Sequence, residues 1–326
     1  KAQLQAVQDV DGVPSKCWQP PFCGMSSMDT VKPKSVSSSS DSSVTPAELR
    51  RLLGRADSPV VLDVRRLPRF QASTRLLPTA RYCSPDQLPE FVASFATQQP
   101  SQPIVVYCVY GHEVSQDAAA WLRAQGWDAR YVLGGMEGGE PGVDSEELLA
   151  ELRTQGLPTI AKRPDLGVTG DMPSRWVTRE RPKIDRIACP WLIRRFVDAR
   201  AEFFYVPTRQ VCEQAKALKA VAYDIPGAPI THDGALCSFD AVLKAFDLKL
   251  PALELLATIV RGADTDQLDL APQSAGLLAT SLGYSRLFSD DDSGMLEAMM
   301  PVYDALYAWC CDRVAAIDEQ HSWKPQ

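Results

Sequence analysis

Pro103-Ile-Val-Val-Tyr-Cys-Val-Tyr-Gly-His-Glu-Val-Ser115 is the stretch on which the fold of the first half turns. Ile104, Val105, Val106 and Tyr107 make an unbroken apolar run, the pattern of a strand covered on both faces in a parallel sheet. The run stops at Cys108. A short loop with Gly111 follows, and residues 116–125 then have helical composition up to Gly126, a helix-ending residue. A strand feeding a helix through a tight loop aims successive backbone amides at one place and adds the positive end of a helix dipole. A cysteine held there is expected to favour its thiolate, the nucleophilic form of sulfur. A buried cysteine that merely closes a core strand is the plainer reading of the same residues.

Outward from this stretch, residues 60–64 and 129–132 read as further strands, and residues 86–96 and 115–124 as helices. Thr45 suits a helix N-cap, Pro46 the first helical position and Gly54 the stop. Strands alternating with helices predict an α/β domain, a parallel sheet flanked by helices. The Cys108 loop then lies at the carboxyl edge of a central strand, where open α/β sheets bind ligands.

Three blocks besides that loop carry a resemblance: Val60-Val-Leu-Asp-Val-Arg65, Leu77-Pro-Thr-Ala80 and Tyr131-Val-Leu-Gly-Gly-Met136. On them, the segment from about Val44 to Gly142 resembles a rhodanese (sulfurtransferase) domain. The resemblance implies that Cys108 carries a persulfide, with no cofactor required. It implies a cradle made by the loop of Val109, Tyr110, Gly111, His112, Glu113 and Val114, with Asp63 and Arg65 ordering the surroundings. The usual loop has an arginine at the position of Glu113. A carboxylate there repels an anionic sulfur donor such as thiosulfate, although it suits a helix N-terminus.

A chain of 326 residues is long enough for two domains with their own cores. Its 45% apolar and 23% charged residues are ordinary for a globular protein, and the net charge of −7 argues against a generally nucleic-acid-binding surface. No apolar run approaches the roughly 20 residues that cross a bilayer, so no membrane partner is expected. Nine cysteines, an odd number in a long chain without signal-peptide features, fit a reducing cytoplasm better than a disulfide framework. Residues 1–43, with the run Ser35-Val-Ser-Ser-Ser-Ser-Asp-Ser-Ser43, are expected as a flexible leader and linker, Met25 or Met28 being a natural start. The rhodanese-like domain is set at 44–155. A proline- and glycine-containing linker follows at 156–174, then a second domain at 175–318 and a polar tail at 319–326.

The second domain opens on a basic block, Arg175 to Arg195. Pro190 is expected at the first position of a helix running through Phe196. Residues 202–206 and 220–225 read as short strands, and the rest as helices, so this half is expected to be mainly α, or α+β. Residues 175 to about 318 resemble the C-terminal domain of the chromate-resistance ChrB family. The match lies on Trp176-Val-Thr-Arg-Glu-Arg-Pro-Lys-Ile-Asp-Arg-Ile-Ala-Cys-Pro-Trp-Leu-Ile-Arg-Arg195, Tyr223-Asp-Ile-Pro-Gly227, Thr231-His232, Cys237-Ser-Phe-Asp240, Ile259-Val-Arg-Gly-Ala-Asp264 and Tyr303-Asp-Ala-Leu-Tyr307. The resemblance implies a role in chromate resistance or chromate-responsive regulation.

Two constellations stand out in this half. Arg179, Arg181, Lys183 and Arg186 are the residue types that hold a tetrahedral oxyanion such as chromate or sulfate; surface ion pairing is the bland alternative. Asp185, Cys189, His232, Cys237, Asp240 and Asp264 mix imidazole, thiol and carboxylate. They could hold a transition metal or reduce a strong oxidant, or be buried core groups. The function expected from the whole is a persulfide-carrying sulfurtransferase module coupled to a domain that senses or handles oxyanion or redox stress. Its partner is a small sulfur donor or an oxyanion. The rival is a chromate-responsive regulator with a catalytically weak rhodanese module, and only that reading calls for nucleic acid.

Overall fold

The computed structural model describes residues 42–95 and 102–317. The expectations for the leader, for the tail and for the last residue of the 86–96 helix lie outside the described residues. Thr45 caps α1 (Pro46–Leu52), which follows β1 (Ser43–Val44). Its hydroxyl accepts from the Glu48 amide at 3.2 Å and the Glu48 carboxylate accepts from the Thr45 amide at 2.8 Å, a reciprocal cap read directly from Thr-Pro-Ala-Glu. Then come β2 (Val60–Asp63), α2 (Leu67–Ala72), β3 (Arg75–Leu76), β4 (Arg81–Tyr82), α3 (Leu88–Phe95), β5 (Ile104–Tyr107), α4 (Glu113–Ala124) and β6 (Ala129–Val132). Five of these strands form one sheet in the order β1-β6-β5-β2-β4, every neighbour parallel. All four residues of β5 are buried, as its apolar run requires.

Helix α4 begins at Glu113, earlier than the sequence suggested, with His112 as its N-cap. After α5 (Glu146–Gln155), the segment expected as a linker supplies β7 (Ile160–Ala161), which pairs antiparallel with β3. Ile160, Leu166 and Val168 of that segment are buried.

The second half contains a strand that its basic composition hid. In β8 (Arg175–Arg179), Trp176, Val177 and Thr178 are buried while Arg175 is exposed. It is followed by α6 (Asp185–Phe196), β9 (Glu202–Val206), α7 (Val211–Leu218) and β10 (Val221–Ala222), and β8 is the middle strand of a parallel sheet, β10-β8-β9. Helices α8 (Ser238–Phe246), α9 (Pro251–Asp264), α10 (Gln273–Leu287) and α11 (Asp292–Val314) follow among the described residues.

Pro190 does not open α6 but lies inside it. A proline there lacks the N–H that would donate to the carbonyl four residues back. That carbonyl belongs to Arg186, and the hydroxyls of Tyr223 (3.2 Å) and Tyr205 (3.4 Å) donate to it instead. The half-buried Tyr205 of β9 and the buried Tyr223 after β10 thus satisfy an acceptor that the helix leaves open, which is why a proline is tolerated in its interior.

One apolar cluster runs through both halves. It joins Val44, Leu49, Phe70 and Leu76 to Trp176, Trp191, Phe196 and Phe239. Gly54 marks the contact: a Cβ on it would lie 2.2 Å from Phe196 Cζ, so the end of α1 is held against the ring of α6.

Candidate functional site

β5 delivers Cys108 to the carboxyl edge of the sheet, between β2 and β6 in the sheet order. The loop that follows is seated on the turn after β6. Met136 N donates to Cys108 O at 3.0 Å and Glu137 N to Val109 O at 2.9 Å. Two glycines make that seat. Gly111 has φ +79°, and a Cβ on it would stand 2.7 Å from Gly134 N and Val132 O. Gly135 has φ +56°, and its Cβ would stand 2.4 Å from Gly111 N. Backbone meets backbone at both places, so only glycine fits.

Cys108 is 5% exposed. Its Sγ lies 3.1 Å from Ser115 Oγ, which in turn donates to His112 O at 3.2 Å. Above it opens a cavity of about 690 Å³ lined by Cys108, Arg65, Tyr110, His112, Glu113 and Glu140, among others. Among the described residues, nothing in the protein accepts from the backbone amides of residues 109–114. The loop therefore keeps its donors for something outside the chain.

Asp63 ends β2, and Arg65, two residues on, lines this cavity. Both are buried, and the pair is bidentate: Arg65 Nε reaches Asp63 Oδ1 at 2.8 Å, and Tyr107 of β5 donates its hydroxyl to Asp63 Oδ2 at 2.7 Å. Their packing ties β2 to the strand that carries Cys108. On the opposite wall the His112 ring sits between two carboxylates, Nε2 2.9 Å from Asp144 and Nδ1 3.3 Å from Glu140. Asp144 is held below the usual carboxylate range, chiefly because the Glu140 amide donates to it, with His112 adding to the effect. Neither acid was legible in the sequence, since each lies some thirty positions from the histidine it meets and no local pattern connects them.

Residues 45–140 match the family model of the rhodanese-like domain, and residues 176–310 match that of ChrB, C-terminal domain. The chain carries a rhodanese-like domain and a ChrB C-terminal domain. The relative Protein ChrB of Cupriavidus metallidurans is 32% identical over 151 residues, which is 43% of this chain and 45% of that protein. The match thus spans less than half of the relative's length. A solved rhodanese-like domain protein of Staphylococcus aureus is 26% identical, covering 32% of this chain and 98% of that one with a TM-score of 0.26. A rhodanese homologue of Thermus thermophilus is 30% identical, covering 29% of this chain and 98% of that one with a TM-score of 0.23. No helix among the described residues is long and apolar enough to cross a membrane.

In the ChrB C-terminal domain the residues singled out in the sequence part company. Arg179 Nη2 and Arg186 Nε both turn to Asp224 Oδ2, at 2.8 and 3.2 Å. Arg181 spends its guanidinium on the carbonyls of Ser285 and Ser289, at the end of α10, and its amide on Asp292. Three of the four proposed oxyanion ligands are therefore occupied inside the domain. Cys189 is fully buried in α6, and burial pushes its thiol well up. Cys237 is the N-cap of α8, its amide donating to Asp240 at 3.0 Å, and burial pushes its thiol up too. Asp240 closes that cap and faces Arg261 at 3.5 Å.

His232 and Asp264 do come together, with Asp185. His232 Nε2 lies 3.2 Å from Asp185 Oδ2, 3.2 Å from Asp264 Oδ2 and 3.5 Å from Asp224 Oδ1. Asp185 opens α6, Asp264 is the last residue of α9, and Asp224 follows β10. Crowded carboxylates show the strain: burial and then Asp185 push Asp264 up to about 7, and the bond to Asp185 lifts His232 to about 9. Asp224 escaped the sequence reading; its positive φ of 53° is visible only in the structure.

Proposed function

We propose that the rhodanese-like domain is a persulfide-carrying sulfurtransferase with Cys108 as its nucleophile, and that the ChrB C-terminal domain ties this chemistry to chromate resistance. The observation that supports it most is the loop of residues 109–114, whose amides have no partner within the described chain, following directly on a cysteine that lines a cavity. Amide dipoles so placed favour an anion at that sulfur, first a thiolate and then a persulfide. The thiolate attacks the outer sulfur of a donor; the donor's S–S bond breaks, its remainder leaves with the electron pair, and Cys108 keeps the sulfur as a persulfide anion. With thiosulfate the leaving group is sulfite. Asp63 and Arg65 fix the strand edge from which the loop springs.

Intact-mass spectrometry after incubation with thiosulfate or a low-molecular-weight persulfide tests this. The protein is expected to gain the mass of one sulfur atom, mapped to Cys108, and Cys108→Ser to gain none. Sulfur appearing on other cysteines in both proteins would end the proposal.

Glu113 sets the donor class. It lines the same cavity at the start of α4 and sets a negative charge against a dianionic donor. Charge reversal by Glu113→Arg is expected to raise kcat/KM for thiosulfate by about 10-fold: it changes the interaction with a dianion by four unit-charge pairs, each roughly 0.35 kcal/mol at about 12 Å in a solvated cleft. The rate with a persulfide donor, which carries a single negative charge, is expected to rise by only about 3-fold, because the field acts on donor charge. Equal changes for the two donors would show that Glu113 acts through the loop's shape instead.

The same carboxylate favours a second reading, a regulator in which the module holds an anion or senses redox state and transfers sulfur poorly. Chromate-dependent DNA binding by a protein that loads no sulfur on Cys108 would select it.

A further inference from the structure

The side chains around His232 make an arrangement that the sulfur chemistry does not use. Asp185, His232 and Asp264 offer one ligand atom each, all within 4.8 Å of one another. The two carboxylate oxygens stand 3.2 Å from His232 Nε2. Ligands bound at about 2.1 Å to one cation are separated by about 3.0 Å along an octahedral edge and about 3.4 Å along a tetrahedral one. The two spacings to His232 Nε2 fall between them.

Charge supports the same assignment. Asp224 is neutralised by Arg179 and Arg186, and its other oxygen accepts from Ser238 Oγ at 3.0 Å. Asp185 and Asp264 have no such cations. Among the described residues each has His232 as its ion-pair partner, so two carboxylates share one imidazole. Asp185 is 2% exposed, and a buried carboxylate without a full countercharge is costly. A divalent ion would supply the missing charge.

The surroundings are those of a held site. The amide of Ser238, at the N-terminus of α8, donates to Asp185 Oδ2 at 3.2 Å and fixes that carboxylate. Asp224, pinned by its arginines, borders the imidazole and acts as an outer partner. His232 is 40% exposed and lines a cavity of about 910 Å³, so the cluster is reached from solvent at its imidazole.

We propose that Asp185, His232 and Asp264 bind a divalent transition metal through two carboxylate oxygens and one imidazole nitrogen. Two hard oxygens beside one nitrogen suit Mn²⁺, Fe²⁺ or Zn²⁺ better than a thiophilic ion such as Cu⁺. Cys189 and Cys237, the sulfur ligands suggested by the sequence, stay outside this set. The proposal does not rest on Cys108, and Cys108→Ser is expected to bind metal as the parent chain does.

Mn²⁺ is the probe, because it ignores the exposed thiol of Cys212 that would capture softer ions. The full chain is stripped with chelator and titrated with Mn²⁺, followed by calorimetry and by loss of the free-ion electron paramagnetic resonance signal. One equivalent is expected to bind, and Asp264→Asn to weaken it by about 100-fold or more. Asp233→Asn, a nearby exposed carboxylate, is expected to change nothing. Asp185→Asn repeats the loss if it folds, and Asp264→Asn carries the test alone if it does not, since Asp264 stands at a helix end. No binding of Mn²⁺ or Zn²⁺ by the parent chain overturns the proposal, and so does unchanged binding in Asp264→Asn.

Discussion

Asp63→Ala is expected to destabilise the protein by about 3–5 kcal/mol, the cost of leaving one member of a buried ion pair alone. Asp63 is 0% exposed and Arg65 3%. The carboxylate accepts from the Arg65 amide (3.1 Å), from its guanidinium and from the Tyr107 hydroxyl, so alanine would strand a charge and a hydroxyl at once. The guanidinium lies near Phe70 and Tyr107, whose ring centroids are 6.0 and 5.4 Å away, and is 3% exposed. Urea unfolding measures the loss. The double variant Asp63→Leu/Arg65→Met is expected to recover much of it, because an apolar pair leaves no charge unpaired. A loss below about 1 kcal/mol for Asp63→Ala would mean that water reaches Arg65, and that Asp63 does not hold the edge beneath Cys108.

Gly135→Ala is expected to slow sulfur loading of Cys108 by about 100-fold, the scale on which a shift near 1 Å costs a reaction that depends on alignment. The added Cβ would meet Gly111 N at 2.4 Å, Val109 O at 2.6 Å and Cys108 O at 2.7 Å. These are backbone atoms of the loop itself, so relief moves the segment that carries Cys108. Gly138→Ala is the control. It also has a positive φ, +75°, but a Cβ there meets nothing within 4 Å, so it carries only the roughly 1–2 kcal/mol of left-handed backbone strain. Gly138→Ala is expected to lose the smaller share of stability and to keep the loading rate, while Gly135→Ala loses both, read by stopped incubation and intact mass. Equal rates would detach the turn after β6 from the reaction.

Much of the rhodanese-like half was legible because its signals are local. An unbroken apolar run made β5, Thr45 and Glu48 made a reciprocal cap, and Gly126 closed the helix after Cys108. The second half was harder. The arginines of β8 masked its strand character, since a basic block reads as surface until the neighbours of Trp176, Val177 and Thr178 are known. Pro190 was placed at the start of a helix by a sound local rule. The rule yielded because Tyr205 and Tyr223, one from β9 and the other following β10, satisfy the carbonyl that the proline leaves open. The arginines after Trp176 looked like an oxyanion surface, but Asp224 lies where Arg179 and Arg186 reach it.

By itself the sequence determined the strands β2, β5 and β6, the cap at Thr45, and that Cys108 stands between a buried strand and a helix, because those preferences act between residues a few positions apart. Only the tertiary structure decided that Asp185, His232 and Asp264 share one corner, that His232 rather than a cysteine stands at its centre, and that His112 lies between Glu140 and Asp144. Such meetings are made by helices and loops packing on a common core, and no spacing along the chain records which of their ends will face one another.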